Sequence, residues 1–128
     1  MNGKTIIRTD RAPLPIGPYN QAVFAGSFLF VSGQIALTPD TGELVLSDIK
    51  SETKRVMENI GAILESAGLG FNDVVKSSIF LTDIGNFATV NEVYGQYFPE
   101  HTAPARETVQ VAKLPKNVSV EISVVAMR

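Results

Sequence analysis

The chain has 128 residues, of which 45% are hydrophobic and 19% are charged, which predicts one folded domain over residues 1–128 and excludes a disordered protein. The formal charge is −2, with 11 lysines and arginines against 13 aspartates and glutamates, so no basic excess favours nucleic acid as a partner. The absence of cysteine and the single histidine exclude disulfides, thiolate nucleophiles, iron–sulfur clusters and most metal sites.

No apolar run approaches the ~20 residues of a membrane span. The N-terminal residues also lack the long apolar stretch of a signal peptide. We therefore expect a cytoplasmic protein with no membrane partner.

The first predicted elements are three strands. An edge strand is possible at residues 5–8, and apolar runs at 23–25 and 28–34 are separated by a Gly-Ser pair that suits a tight turn. Between the first two strands, the proline-rich stretch 13–18 predicts an extended loop, because proline fixes φ and cannot donate to a strand ladder.

A helix, a strand and a second helix follow. Ser47 or Asp48 can cap the first helix, in which apolar residues recur at helical spacing until Gly68 ends it. Charged residues, Glu52 among them, occupy its other sides. A strand is predicted over 74–81, and a second helix carries apolar and aromatic residues from 87 to 97 and ends before a proline.

The last two predicted strands cover residues 106–111 and 118–126, which gives the order β-β-β-α-β-α-β-β and an α/β or α+β sheet of about six strands. Two helices can cover only one face of such a sheet, so the other face must be solvated or packed on another chain. The final strand alternates between two sets of residues. The apolar set is Val118, Val120, Ile122 and Val124, and the half-polar set is Ser119, Glu121, Ser123 and Val125.

Two charged residues are candidates for chemistry because of their places in these strands. Arg106 opens a strand two residues after a proline, so its guanidinium could bind a carboxylate or phosphate, although a surface salt bridge would also explain it. Glu121 lies inside an otherwise apolar or small-residue strand. It is either a general acid/base in a pocket or a solvated residue on an open face.

Smaller signals come from four other positions. Ser32 and Gly33 end an apolar strand, where glycine permits close approach of a ligand and its N–H could bind a carboxylate. A β-bulge or a strand terminus would also explain this glycine. Tyr19 follows a Gly-Pro pair on a stiff loop, and Asn91 lies in the second helix; each alone is more typical of a structural residue. Nothing fixes the distance between Ser32 and His101 that a nucleophile and its base would need.

Together these segments resemble the reactive intermediate deaminase family, also called the Rid or YjgF family, over nearly the whole chain. Each fragment alone is a weak signal, but their order and spacing are highly specific, and the arginine and glutamate match the RidA-like branch that deaminates imines. The matching segments are Ile16–Tyr19, Val31–Ile35, Phe87–Asn91, Pro104–Arg106, Val111–Pro115 and Val120–Ile122.

The resemblance implies a chorismate-mutase-like α+β fold assembled as a homotrimer, with sites in clefts between neighbouring subunits. It also implies hydrolysis of 2-iminopropanoate and 2-iminobutanoate to 2-oxo acids and ammonia, without cofactor or metal. Such imines follow from the enamines that pyridoxal-phosphate-dependent dehydratases release from serine and threonine.

Transferred residue by residue, the resemblance assigns Arg106 to the substrate carboxylate and Glu121 to the attacking water or a proton relay. An imine is already electrophilic, so these two groups could suffice. The other substrate-binding positions would be Tyr19, Ser32, Gly33, Asn91 and Thr108.

The chain departs from the family beside the proposed carboxylate site. Many members carry Ser-Cys or Ser-Thr after the arginine, whereas this chain has Glu107 and Thr108. Because successive residues of a strand point to opposite faces, we expect Glu107 to point away from Arg106.

Two other functions compete with a 2-imino acid deaminase. One is a non-catalytic trimer that binds small carboxylates or ketoacids as a sensor or regulatory protein; Arg106 would serve both, whereas Glu121 favours the enzyme. The other is RNA cleavage, an activity attributed to some relatives, which the negative charge and the single histidine disfavour.

Overall fold

Six strands form one mixed sheet in the computed structural model, which describes residues 3–128. The sheet order is β1-β2-β3-β6-β4-β5, so the last strand of the chain lies inside the sheet. Only β4 and β5 pair in parallel. The six predicted strands are confirmed, with ends that shift by one or two residues: β1 Lys4–Ile7, β2 Ala22–Ala25, β3 Phe28–Gln34, β4 Val74–Leu81, β5 Ala105–Gln110 and β6 Val120–Met127.

Two helices, α1 (Ile49–Ser66) and α2 (Phe87–Gly95), complete the α+β fold. The Asp48 side chain caps α1 by accepting a hydrogen bond from the Ser51 N–H at 2.8 Å, as predicted. Gly68 follows the helix with φ of +77°, the left-handed conformation that glycine adopts readily. The second helix ends two residues before the predicted position 97, and its last turn tightens into i→i+3 hydrogen bonds.

The core lies between one face of the sheet and the helices. Alternate residues of β6, and of the two residues before it, face the core and are buried: Val118, Val120, Ile122 and Val124. The residues between them lie on the opposite face and are partly exposed, as Glu121, Ser123 and Val125 show. The predicted alternation is therefore confirmed. No helix within residues 3–128 has the length and apolarity that a membrane crossing requires.

The face of the sheet that carries no helix presents exposed large apolar side chains; half of Phe30 is accessible, for example. Phe28 and Met127 lie opposite each other on the neighbouring strands β3 and β6. Grouped apolar side chains of this sort mark an interaction surface. The apolar patch consists of Phe28, Phe30 and Met127, and Val109 is exposed on the same face at the far edge, on β5.

Glu52 is predicted to lie on a side of α1 other than the apolar face, and no sequence pattern indicates that it is buried. It is buried, with 2% of its surface accessible, and its Oε2 accepts hydrogen bonds from the N–H groups of Ser119 (2.7 Å) and Val120 (2.9 Å). Beyond the last pairing of β3 with β6, these groups lack a strand neighbour on that side, so the carboxylate replaces it. Burial raises the pKa of Glu52, although the two backbone donors oppose this shift.

Candidate active site

A cleft of about 550 Å³ opens where β3 ends, beside the middle of β6. Four of the predicted site residues line it: Tyr19, Ser32, Gly33 and Glu121. An apolar part of its wall comes from the proline-rich loop and from the segment after β3, through Leu14, Ile16, Ile35 and Leu37.

The carboxyl group of Glu121 lies directly against Gly33. A Cβ atom at Gly33 would come within 2.0 Å of the Glu121 Oε2, so no side chain fits there unless Glu121 moves. The pairing of β3 with β6 is irregular at this point, because Ser32 and Gly33 both fall opposite Ser123. The β-bulge interpretation of Gly33 is therefore confirmed, and the missing side chain makes room for the Glu121 carboxyl group. Close approach of a ligand to Gly33 stays a prediction.

Glu121 has no hydrogen-bond donor among residues 3–128, and it is half-buried. Burial raises its pKa above the ordinary value of 4.5 because the ionised carboxylate loses hydration without gaining a partner. A carboxyl group in this state is suited to proton transfer, since its oxygens remain free for a water or a substrate.

Ser32 connects the cleft floor to the segment that carries Tyr19. Its Oγ donates to the Asn20 carbonyl at 2.6 Å, and its N–H donates to the Gln21 carbonyl at 2.9 Å. The serine hydroxyl proton is thus committed to the backbone, which leaves its oxygen only as an acceptor. This contact argues against Ser32 as a nucleophile and is consistent with its predicted place in the cleft wall.

Gln21 is a cleft residue that sequence reasoning missed. It is buried, and its Nε2 donates to the carbonyls of Thr9, Ala12 and Pro13, at 2.9, 3.2 and 2.9 Å. The side chain thereby fixes the start of the proline-rich loop. An amide at the beginning of an apolar strand was the available signal, because such a group is buried only when its hydrogen bonds are satisfied.

Lys116 also lines the cleft and was not predicted. Lys116 and Asn117 have φ of 56° and 58°, and this left-handed conformation costs a non-glycine residue about 1–2 kcal/mol. Pro115 and Asn117 are typical turn residues, so the sequence indicates a turn before β6, but no sequence pattern indicates that Lys116 lines the cleft.

Arg106 lies in a different environment, against α2. Its Cζ lies 5.6 Å from the Phe87 ring centroid and 5.0 Å from that of Tyr94, and its Nη1 donates to the Asn91 Oδ1 at 2.7 Å. Phe87, Asn91 and Tyr94 share one face of α2 because they are spaced by four and three residues. The Tyr94 hydroxyl in turn donates to the Ser77 Oγ at 2.9 Å.

This arrangement orients the guanidinium while leaving most of its donors free. Within residues 3–128, Asn91 takes the only hydrogen bond that Arg106 donates. Arg106 and Asn91 line a second cavity of about 600 Å³. An arginine with free donors beside a cavity is suited to bind a carboxylate or phosphate.

Thr108 shares the face of β5 with Arg106 but lines neither cavity within one chain. Its Oγ1 is buried and has no hydrogen-bond partner among the described residues. A buried hydroxyl without a partner is uncommon, and it remains available to a group that approaches from outside.

Glu107 points to the opposite face of β5, as the strand alternation predicts. Its carboxylate accepts a hydrogen bond from Ser78 Oγ and forms an ion pair with Lys76 at 2.9 Å. Both partners hold the pKa of Glu107 below its ordinary value. Glu107 therefore forms no ion pair with the guanidinium of Arg106.

The predicted site residues thus form two groups on opposite faces of the sheet. Arg106 pairs in register with Ser77 on the helix-covered side, whereas Glu121 pairs with Phe80 and points to the uncovered side. One chain does not bring Arg106 and Glu121 together. No group of three or more histidine, aspartate or glutamate side chains suited to a metal ion occurs within residues 3–128.

Comparison with known proteins agrees with this architecture. Residues 9–128 match the family described as endoribonuclease L-PSP. TdcF of Escherichia coli K12, whose name marks it as a candidate reactive intermediate deaminase, is 50% identical over 127 residues and covers 98% of both chains.

Two solved structures are similar to the fold along almost its whole length. Escherichia coli TdcF with bound serine has a TM-score of 0.90 at 49% identity, covering 97% of this chain and 98% of that one. A Thermotoga maritima protein described as a candidate endoribonuclease has a TM-score of 0.94 at 50% identity, covering 97% of each chain. The chain therefore belongs to the reactive intermediate deaminase, or Rid/YjgF, family.

Proposed function

We propose that this protein is a deaminase that hydrolyses 2-imino acids, 2-iminopropanoate and 2-iminobutanoate among them, to 2-oxo acids and ammonia. The observation that carries the proposal is Glu121, a half-buried carboxyl without a protein partner that lies against Gly33 in an open cleft. The name of TdcF, at 50% identity, points to the same kind of reaction.

The proposed active unit is a homotrimer in which each site lies between two subunits. Arg106 and Glu121 lie on opposite faces of one sheet, so a complete site needs both faces to meet across an interface. The exposed apolar patch on the uncovered face supports such packing. Head-to-tail association around a three-fold axis would place Arg106 of one subunit beside Glu121 of the next.

In this site, the free guanidinium donors of Arg106 bind the substrate carboxylate, and Asn91 maintains the direction of the guanidinium. Glu121 takes a proton from water as the water oxygen bonds to the imine carbon and the C=N double bond becomes a single bond. Glu121 then returns this proton to the nitrogen, which gives a carbinolamine. Glu121 next carries the carbinolamine hydroxyl proton to the same nitrogen, so that the C–N bond breaks, the C=O bond forms and ammonia leaves. The imine supplies its own electrophile, so no nucleophilic residue or cofactor is required.

The second candidate is a trimer that binds small carboxylates without catalysis. The serine bound to TdcF favours it, because serine is an amino acid with a carboxylate and not an imine. This function requires Arg106 but gives Glu121 no role in turnover. RNA cleavage has less support: His101 is exposed and lines neither cavity.

The deciding experiment couples the purified protein to a threonine dehydratase and follows the disappearance of the imine at early times. The proposal expects faster loss of imine with the wild-type protein and a much smaller acceleration with Glu121→Gln. Acceleration by neither, together with retained binding of 2-oxobutanoate, would favour the binding protein.

A further inference from the structure

Asn59 lies beneath the cleft without contacting it. It is fully buried in α1, and its side chain reaches across to the segment that follows β3. Its Nδ2 donates to the carbonyl oxygens of Ile35 (3.2 Å) and Leu37 (2.9 Å). Both of these residues line the cleft that contains Glu121.

The direction of the Asn59 amide is set from its other side. Arg55 donates from Nη2 to the Asn59 Oδ1 at 3.0 Å, so the oxygen faces the guanidinium and the NH₂ group faces the two carbonyls. Because an amide presents donors and an acceptor on different atoms, the reversed orientation would lose all three hydrogen bonds.

The segment from Ile35 to Leu37 follows β3 and belongs to no strand, so its backbone has few other hydrogen bonds. The N–H of Leu37 donates to the Ile35 carbonyl, the N–H of Val45 donates to the Ala36 carbonyl, and Leu37 forms one isolated bridge with Leu44. The side chain of Ala36 is fully buried in the core and anchors the middle of the segment. Within residues 3–128, only Asn59 donates from a side chain to the carbonyls on either side of Ala36, so the placement of Ile35 and Leu37 depends on it.

We propose that Asn59 is a positioning residue that sets the apolar wall receiving the side chain of the substrate. This inference rests on the proposed function, in which Arg106 takes the carboxylate and Glu121 acts at the imine carbon. The remaining part of the substrate then lies against the apolar wall that Ile35 and Leu37 share with the proline-rich loop. The substrate class is accordingly 2-imino acids with aliphatic side chains, the longer chains gaining more from the wall.

The test compares two substrates that differ only in chain length, 2-iminobutanoate and 2-iminohexanoate. Each methylene that is fully buried against the wall is worth about fourfold in kcat/KM, so the wild-type protein should favour the longer imine. Asn59→Ala and Asn59→Ser should lower this preference by about threefold or more, mainly through KM for the longer imine. Values of kcat for the shorter imine should change little.

A matched control comes from the same helix. Thr53 is also fully buried in α1, and its Oγ1 donates to the Ile49 carbonyl at 2.8 Å, away from the cleft. Thr53→Val removes a buried hydrogen bond and should lower thermal stability without changing the preference between the two imines. Equal changes in preference for the Asn59 and Thr53 variants, or no change at all, would overturn the proposal.

Two further measurements keep the proposal falsifiable. Leu37→Ala shortens the wall itself and decides the question if neither Asn59 variant folds: an unchanged preference overturns the proposal. Calorimetric binding of 2-oxobutanoate and 2-oxohexanoate separates it from the proposed function. If the wild-type protein hydrolyses no imine but binds the longer oxo acid more tightly, and Asn59→Ala loses this difference, the proposed hydrolysis is refuted and the role of Asn59 is supported. If the wild-type protein binds the two oxo acids equally, the role of Asn59 is refuted.

Discussion

The two charged residues of the candidate site differ in how the protein holds them: Arg106 is fixed by several side chains, whereas Glu121 has no hydrogen-bonded partner among residues 3–128. Arg106 lies among two aromatic rings and an amide, and Tyr94 behind it is fixed by a further hydrogen bond to Ser77. Glu121 has no hydrogen-bond donor among residues 3–128 and lies against the backbone at Gly33.

The difference suits two kinds of chemistry. A group that binds a carboxylate benefits from a fixed direction, since its donors must meet two oxygens at once. A group that transfers a proton benefits from partial desolvation and free oxygens, because stronger hydrogen bonding to the ionised form would lower its basicity. Four substitutions, one pH profile and one mixing experiment can break or sharpen this comparison.

The largest effect is expected from Glu121→Gln. Glutamine has the same shape and can still hydrogen-bond to a water, but it cannot accept the proton, so kcat should fall by about 10²–10⁴-fold while oxo-acid binding persists. Turnover as fast as the wild type would leave Glu121 as a strand residue only.

The pH dependence of the wild-type protein sharpens the same point. Burial raises the pKa of Glu121, and the base must be ionised, so kcat/KM should increase with pH along an acid limb centred above 4.5. This limb should be absent from the residual activity of Glu121→Gln. A limb centred at or below 4.5 would contradict the assigned environment.

The second largest effect is expected from Arg106→Lys, which should lower kcat/KM by about 10²-fold or more although the charge is kept. Lysine is a point charge on a flexible stem and cannot bind a carboxylate through two parallel hydrogen bonds, nor can it keep the same contact with Asn91. Steady-state kinetics and oxo-acid titration measure both losses. Near-normal values would show that Arg106 does not bind the carboxylate.

Gly33→Ala should give an intermediate effect, with a loss of about 10- to 100-fold in turnover. The added methyl group must displace the flexible end of Glu121, so catalysis should suffer more than folding. Gly70→Ala is a suitable control, because a Cβ at Gly70 meets no atom within 4 Å. If both variants lost the same activity, the contact between Gly33 and Glu121 would have no role.

Glu107→Ser should have the smallest effect, within about twofold in imine turnover, since charges on opposite faces of the sheet are screened by solvent and salt. The Glu107 carboxylate contacts Ser78 and Lys76 rather than Arg106. A large gain in activity or in carboxylate affinity would show that Glu107 reaches Arg106 and that the two sides are not separate.

Much of the fold followed from the sequence because its signals were local. Alternation in β6, the Asp48 cap and the left-handed Gly68 each depend on residues close together in the chain, and all three are confirmed. Burial of Glu52 was not predicted, because its two backbone partners at the start of β6 lie more than sixty residues away.

The site was harder to predict for the same reason. Residue types and strand periodicity indicated Arg106 and Glu121, but not that the order β3-β6-β4-β5 places them on opposite faces within one chain. Gln21 and Asn59 gave only a weak signal, since a buried amide becomes recognisable when its acceptors are known.

The central claim is that Arg106 and Glu121 act together across a subunit interface, and mixing two inactive variants tests it most directly. Arg106→Ala and Glu121→Gln chains are co-purified as randomly mixed trimers, and each variant alone undergoes the same treatment. Half of the Arg106 positions and half of the Glu121 positions are then intact, so about a quarter of the clefts should contain both, and about a quarter of wild-type turnover should return. A mixture as inactive as its components, in trimers shown to contain both chains, would contradict the shared site.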